Sequence, residues 1–262
     1  TSVNADKFLP AKWGIKIPVY LGYSENIIKP QYDPLNPDLL ISSSLGSMTP
    51  EEQEIYKRKT LNYTRRRSLN FTNVHKERGA KKKNSHFWDV ENISATYAYS
   101  EIYRRDINIE YNMNKTYRGG LNYAFNANPK LIEPFKSNKF LSKSKWFGLI
   151  KDVNFYLGPK TVSIRNDLNR TYTANQIRNN FDGLVFPTYT KNFTWVRAYD
   201  MKYDLTKTLK VDFNANNNAV VGEPLGRVDK LYKDEYQIFK DSVHSSLREW
   251  GINKQYNHTV NV

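Results

Sequence analysis

Three stretches, Ile93-Ser-Ala95-Thr-Tyr97-Ala-Tyr99-Ser100, Ile107-Asn108-Ile109-Glu110-Tyr111-Asn112-Met113-Asn114 and Leu121-Asn122-Tyr123-Ala-Phe125-Asn126-Ala127-Asn128, share one rhythm: apolar or aromatic at every odd position, mostly small or amide at every even one. A two-residue period places successive side chains on opposite faces of an extended strand, so each stretch predicts a β-strand with one aromatic face and one wet face. Tyr103-Arg104-Arg105-Asp106 reads as the turn between the first two, and Gly119-Gly120 as a bulge or bend within a long strand.

The pattern extends in both directions. Downstream, Val153, Phe155 and Leu157 shift register across Gly158-Pro159 to Val162 and Ile164. Phe193, Trp195, Tyr199, Met201, Tyr203 and Leu205 follow, broken at Arg197, and then Leu209, Val211, Phe213 and Ala215 alternate with Lys210, Asp212, Asn214 and Asn216. Thr206-Lys207-Thr208 is a hairpin connection between the last two runs. Asn166, Asp167 and Asn169 read as a polar turn. Upstream, Trp13-Gly-Ile15-Lys-Ile17-Pro18-Val19-Tyr-Leu21-Gly-Tyr23 has the same alternation, with Pro18 marking a bulge or an unpaired point. Pro30, Pro34 and Pro37 make 30–38 a rigid turn, with Asx hydrogen bonds expected at Asp33 and Asp38.

Two segments break the rhythm. Thr49-Pro50-Glu51-Glu52, followed by Lys57-Arg58-Lys59, carries the cap, first-turn acids and last-turn bases of a helix over 49–60. A strand near 66–75 and a basic loop over 76–86 follow. Over 229–250, Leu231, Tyr236, Phe239, Val243 and Leu247 recur at roughly helical spacing, and Gly251 stands where a helix stops. Tyr256-Asn-His258-Thr-Val260-Asn-Val262 then opens another strand, as in a chain cut from something longer.

Composition bounds the class. The 262 residues are only 39% hydrophobic, and Tyr (19) is the main aromatic. Tyrosine pairs an apolar ring with a polar tip, which suits a boundary between hydrocarbon and water, though Tyr-rich soluble β proteins share it. There are no cysteines, so disulfides and thiolate metal sites are excluded. No apolar run approaches the roughly 20 residues of a spanning helix, which leaves β-barrels open. The net charge of +14 is concentrated in runs such as Arg65-Arg66-Arg67 and Lys81-Lys82-Lys83. The aromatics stand apart from those runs, so no stacking groove forms and no nucleic-acid partner is expected. His75, His86, His244 and His258 form no ligand or triad spacing, and Gly222 to Arg227 lacks the ending of a phosphate loop. No enzyme activity and no cofactor are expected.

The resulting expectation is an all-β segment of a large antiparallel transmembrane β-barrel with short helical insertions at the rims. Its segments are 1–90 (strand, proline-rich turn, short helix, basic loop), 91–222 (long barrel strands) and 223–262 (helical insertion and the start of a further strand). The candidates for the lipid side are Tyr97, Tyr99, Ile107, Ile109, Tyr111, Leu121, Tyr123, Phe125, Phe193, Trp195, Val211 and Phe213. Those for the lumen are Asn108, Glu110, Asn112, Asn122, Asn126, Lys210, Asp212 and Asn214. Open sheet edges inside lipid leave backbone groups without partners, so the remaining strands are expected from sequence outside this chain.

Phe8-Leu-Pro-Ala-Lys-Trp13-Gly14, Ile17-Pro18-Val19, the proline-rich Pro30 to Asp38, and Trp250-Gly251 with Tyr256-Asn-His258 resemble the SprA (Sov) family, outer-membrane translocons of the type IX secretion system of Bacteroidota linked with gliding motility. The resemblance implies an internal piece of a much longer outer-membrane barrel that exports folded cargo. It also implies as partners the bilayer and lipopolysaccharide, the remainder of the same barrel, a PorV-like shuttle protein, a periplasmic plug protein and secreted cargo. Two other readings fit the residues: a smaller outer-membrane channel or receptor barrel, and a soluble surface-binding β-sandwich.

Overall fold

The computed structural model describes residues 1–79, 85–136, 152–179, 185–228, 230 and 232–262. Its strands are β1 (Ser2–Asn4), β2 (Ile15–Lys16), β3 (Pro18–Ile28), β4 (Tyr32–Asp33), β5 (Asn36–Leu40), β6 (Asn62–Lys76), β7 (Ile93–Arg105), β8 (Ile109–Asn126), β9 (Leu131–Ile132), β10 (Phe155–Tyr156), β11 (Thr161–Ile177), β12 (Thr188–Asp204), β13 (Lys210–Val220) and β14 (Ile252–Asn261). The helices are α1 (Ile41–Gly46), α2 (Pro50–Thr60) and α3 (Lys233–Arg248). One antiparallel sheet runs β1-β3-β6-β7-β8-β11-β12-β13-β14, with β2 beside β6, and takes strands from all three sequence segments. Neighbours in the sheet follow one another along the chain apart from insertions at 29–61, 127–160 and 221–251. This is an up-and-down meander.

The sheet is open. β14 pairs on one side only, with β13, and the edge of β3 beyond Tyr20 has no strand beside it among the described residues. All ten residues of β14 are exposed.

Alternation persists because the strands are long and continuous. β8 runs through Gly119 and Gly120 without a register break, so the expected bulge is absent. The glycines have a different cause. A Cβ on Gly120 would stand 2.5 Å from Thr96 Oγ1, so cross-strand crowding excludes a side chain there. Asn166, Asp167 and Asn169 lie in mid-strand in β11 rather than in a turn, since each is held by ladders on both sides. Conversely, Ile107 and Asn108 lie in the turn rather than in a strand. β7 continues through Arg105, and Asp106 Oδ1 accepts from the backbone N–H of Asn108 and Ile109, both at 2.9 Å, so the next strand starts two residues later than the sequence pattern implied. Of Val153 to Leu157 only Phe155 and Tyr156 form a strand, paired with β9 outside the main sheet. Trp13 belongs to a 3-10 turn, and the long strand starts at Pro18, where a missing N–H costs nothing.

The proline-rich turn is a small hairpin, β4–β5, organised by Asp33. This carboxylate is 2% exposed and accepts from Leu35 N at 2.9 Å, Ser44 Oγ at 2.5 Å and the Tyr56 hydroxyl at 2.5 and 2.6 Å, tying together hairpin, α1 and α2. Helix α2 has the expected capping box between Thr49 and Glu52. At the far end, α3 stops through Trp250 and Gly251, both at positive φ, with Gly251 N donating to Ser246 O at 2.8 Å. Leu231, counted in the helical period, and Lys81 to Lys83 of the basic loop lie outside the described residues.

Gly251→Ala is expected to destabilise the chain by about 1–3 kcal/mol in denaturant unfolding, because φ is +70° and the new Cβ would meet Val220 O at 3.0 Å. Burial alone pushes the Asp33 carboxyl up, but the bonds from Ser44, Tyr56 and the Leu35 and Asn36 N–H groups outweigh it and hold it below its ordinary value. Burial and that carboxylate together push Tyr56 up to about 12. With the folded value lowered, Asp33 contributes stability above the ordinary carboxylate range and loses it as pH falls through the folded value. Local melting of 32–60 should therefore begin below about pH 4. Asp33→Asn should weaken the segment at pH 7 by about 1.5–3 kcal/mol and flatten that pH dependence, as read by hydrogen exchange.

Candidate functional site

The functional feature is the sheet itself, because register sorts its residues onto two faces of unlike chemistry. Paired residues share a face, so the pairs Tyr97 with Gly119, Tyr99 with Tyr117, Ile93 with Tyr123, Phe125 with Val162, Leu168 with Trp195, Met201 with Phe213 and Tyr203 with Val211 define one side. Phe193 joins it through Arg170, and Leu121 and Tyr111 through Ala95 and Gln176. Ile109 follows by alternation in β8. The opposite side pairs Asn112 with Asn175, Asn122 with Ser94 and Arg165, Asn126 with Thr161, Asp212 with Lys202, Lys210 with Asp204 and Asn214 with Asp200. Glu110 follows these by alternation. The register thus groups the candidate residues as the sequence did, apart from Ile107 and Asn108 in their turn.

The aromatic face is itself divided. Toward the Phe125 end it is mostly apolar: Leu21, Leu69, Phe71, Tyr97, Leu121, Tyr123, Ile164, Met201, Phe213 and Val260 form a band across the strands, interrupted level with Leu121 by Asn166, Arg197 and Asn217. From Gly119 to Phe125 that band measures roughly 20 Å along β8 at about 3.3 Å per residue. Leu121, in its middle, is 51% exposed. Toward the other end the same face carries Arg65, Glu101, Lys115, Arg170 and Lys191 among its tyrosines. In the sequence pattern Arg197 is a break in the alternation. In the structure it is an attachment, as are Arg170 and Lys191.

Helix α3 and the segment before it lie over this charged half. Arg170 makes a bidentate ion pair with Glu223, at 2.7 and 2.8 Å, with side chains 12% and 4% exposed. Its guanidinium also lies 4.8 Å from the Phe239 ring of α3 and 5.3 Å from that of Tyr117. Arg197 is 5% exposed and fixes the far end of the helix. It stands 4.6 Å from the Trp195 ring and 5.3 Å from the Trp250 ring, which themselves stack 5.6 Å apart. It donates to Asn217 Oδ1, Trp250 O and Asn253 Oδ1. Arg227 forks onto Glu235 at 2.7 and 3.0 Å; that bond raises the guanidinium further above its usual range and lowers the Glu235 carboxyl. Between helix and sheet is a cavity of about 740 Å³.

The remaining sites carry structure rather than chemistry. His86 lies in the loop before Val90, its ring stacked on Trp88, and Phe87 packs on Tyr123 and Phe125 at the foot of the apolar band. Among the described residues no three His, Asp or Glu side chains converge as metal ligands. No described helix is long and apolar enough to cross a membrane, which says nothing about strands.

Glu223→Gln should leave a buried guanidinium without its counter-charge and cost about 3–5 kcal/mol. The expected sign is selective loss of hydrogen-exchange protection in α3. Replacing both partners, Arg170→Met with Glu223→Met, should recover most of it.

Residues 1–45 match the SprA_N family model, described as motility related/secretion protein. No curated protein matches the chain. The matched stretch runs from β1 through the Asp33 hairpin into α1, and it holds the Phe8 to Gly14, Ile17 to Val19 and Pro30 to Asp38 motifs, whereas Trp250 to His258 lies outside it. The first 45 residues are thus related to a motility and secretion family.

Proposed function

We propose that this chain is a section of the wall of a large outer-membrane β-barrel that moves protein across the membrane, as the type IX secretion translocon does. One observation carries the reading. Eight long antiparallel strands in meander order segregate an exposed apolar band on one face from a face of amides, hydroxyls and charges on the other. A spanning barrel strand needs about 9–11 residues, and the main strands have 10 to 18. The apolar band is of the order of the roughly 25 Å belt of such barrels once tilt and flanking residues are included.

In this reading Tyr97, Leu121, Tyr123, Val211 and Phe213 meet lipid, with Phe125 buried beneath Phe87, while Asn112, Asn122, Asn126, Asp212 and Asn214 meet water in the lumen. Tyr111, Phe193 and Trp195 share the first face but stand toward its α3-covered end, above the bilayer. The open edges of β3 and β14 are completed by other strands of the same barrel, and shuttle, plug and cargo proteins are its partners. The wall carries no catalytic group. The match of residues 1–45 to a secretion family supports the same direction. A soluble sandwich is disfavoured because a second sheet would have to cover the apolar band, and among the described residues none does.

Single cysteines test this in the full-length protein in native membranes. A water-soluble maleimide should label Asn112→Cys, Asn122→Cys and Asn214→Cys at least tenfold faster than Leu121→Cys, Tyr123→Cys and Phe213→Cys. Equal rates for the two sets would sink the proposal.

A further inference from the structure

The cavity between α3 and the sheet is rich in cations and ring hydroxyls. Lys115, Arg170 and Arg227 line it with Tyr111, Tyr172 and Tyr189, and no described Asp or Glu does. The nearby acids are already engaged behind it, Glu223 with Arg170 and Glu235 with Arg227. Lys115 stands across the ladder from Glu101, whose carboxylate is held by Arg65 at 3.0 Å and the Tyr99 hydroxyl at 2.8 Å. The lysine lines the cavity while its charge also acts on the Glu101 carboxylate.

Ammonium and guanidinium groups recognise phosphate, and tyrosines offer ring faces for a sugar with hydroxyls at the edge. At about 740 Å³ the space is far larger than a bare phosphate needs and falls within the range of small-molecule sites. Its position selects among phosphorylated ligands. Tyr117, in the cavity wall, is two residues along β8 from Gly119, where the apolar band begins on the same face. A ligand with acyl chains against the band brings its headgroup to this opening.

We propose that the cavity binds the phosphorylated sugar headgroup of a membrane lipid, with Lys115 and Arg227 on phosphate and the tyrosines against the sugar. The lipid source rests on the reading of the apolar band as a lipid-facing surface; the headgroup chemistry does not.

Titration calorimetry of the full chain with soluble, deacylated bisphosphorylated diglucosamine tests the chemistry without a membrane. Wild type should bind it, and bind the dephosphorylated disaccharide at least tenfold more weakly. Lys115→Gln should weaken binding roughly tenfold, and Lys115→Arg should restore most of it, which separates charge recognition from misfolding. No binding, no preference for the phosphorylated sugar, or binding that Lys115→Gln leaves unchanged overturns the site. A second arm compares flotation with phosphatidylcholine vesicles with and without lipid A. Stronger recovery with lipid A supports the lipid source. Headgroup binding without that preference overturns the lipid source, and the cysteine labelling pattern reports separately whether the band faces lipid at all.

Discussion

A β-ladder satisfies backbone groups pairwise, and everything in this chain follows from the sheet's need to continue that pairing sideways. Each long strand has ladders on both sides except at the two ends of the order. In water an open edge invites aggregation, and in hydrocarbon each unmatched N–H or C=O costs several kcal/mol. In the proposed barrel the fully exposed β14 is one plank among others. The same pairing fixes register, and register decides chemistry: a slip of one residue would exchange the tyrosine and asparagine faces completely.

The charged half of the aromatic face shows why an apolar stripe need not be uniform. Arg170 and Arg197 occupy positions where alternation calls for apolar side chains, and both are nearly covered. Each guanidinium offers flat faces to aromatic rings and in-plane N–H groups to carboxylate, amide or carbonyl oxygens, so it bonds a polar loop and stacks on a ring together. These two residues fix a helix to a sheet without a conventional aliphatic core. The described large apolar side chains are seldom deeply buried, consistent with a surface whose apolar partner is not part of the chain.

Much of this was legible in the sequence because alternation is a strong signal when strands are long. The two-faced strands, the capped helix at Thr49 and the Thr206 hairpin all followed from local rules. Turn positions were less legible. Asp106 closes its hairpin through a side chain, and alternation through Ile107 masked it. Gly119-Gly120 misled because crowding by Thr96, a cross-strand partner, is invisible locally. The cavity under α3 was hidden for the same reason: its lining comes from strands and a helix far apart in sequence, and the charges at 115 and 170 within aromatic runs were the local signal for it.

The connection between β13 and β14 has a kinetic consequence. Some neighbouring strands are joined by turns such as Asp106 to Asn108, whereas residues 221–251 separate Val220 from its partner Ile252, as residues 29–61 separate β3 from β6. Closing that span costs roughly 2 kcal/mol more chain entropy than closing a tight turn. A helix already docked through Arg170 and Arg197 removes most of that cost by bringing Gly251 back to the sheet. Docking of the helix and pairing of the last strand are thereby coupled through the same two arginines.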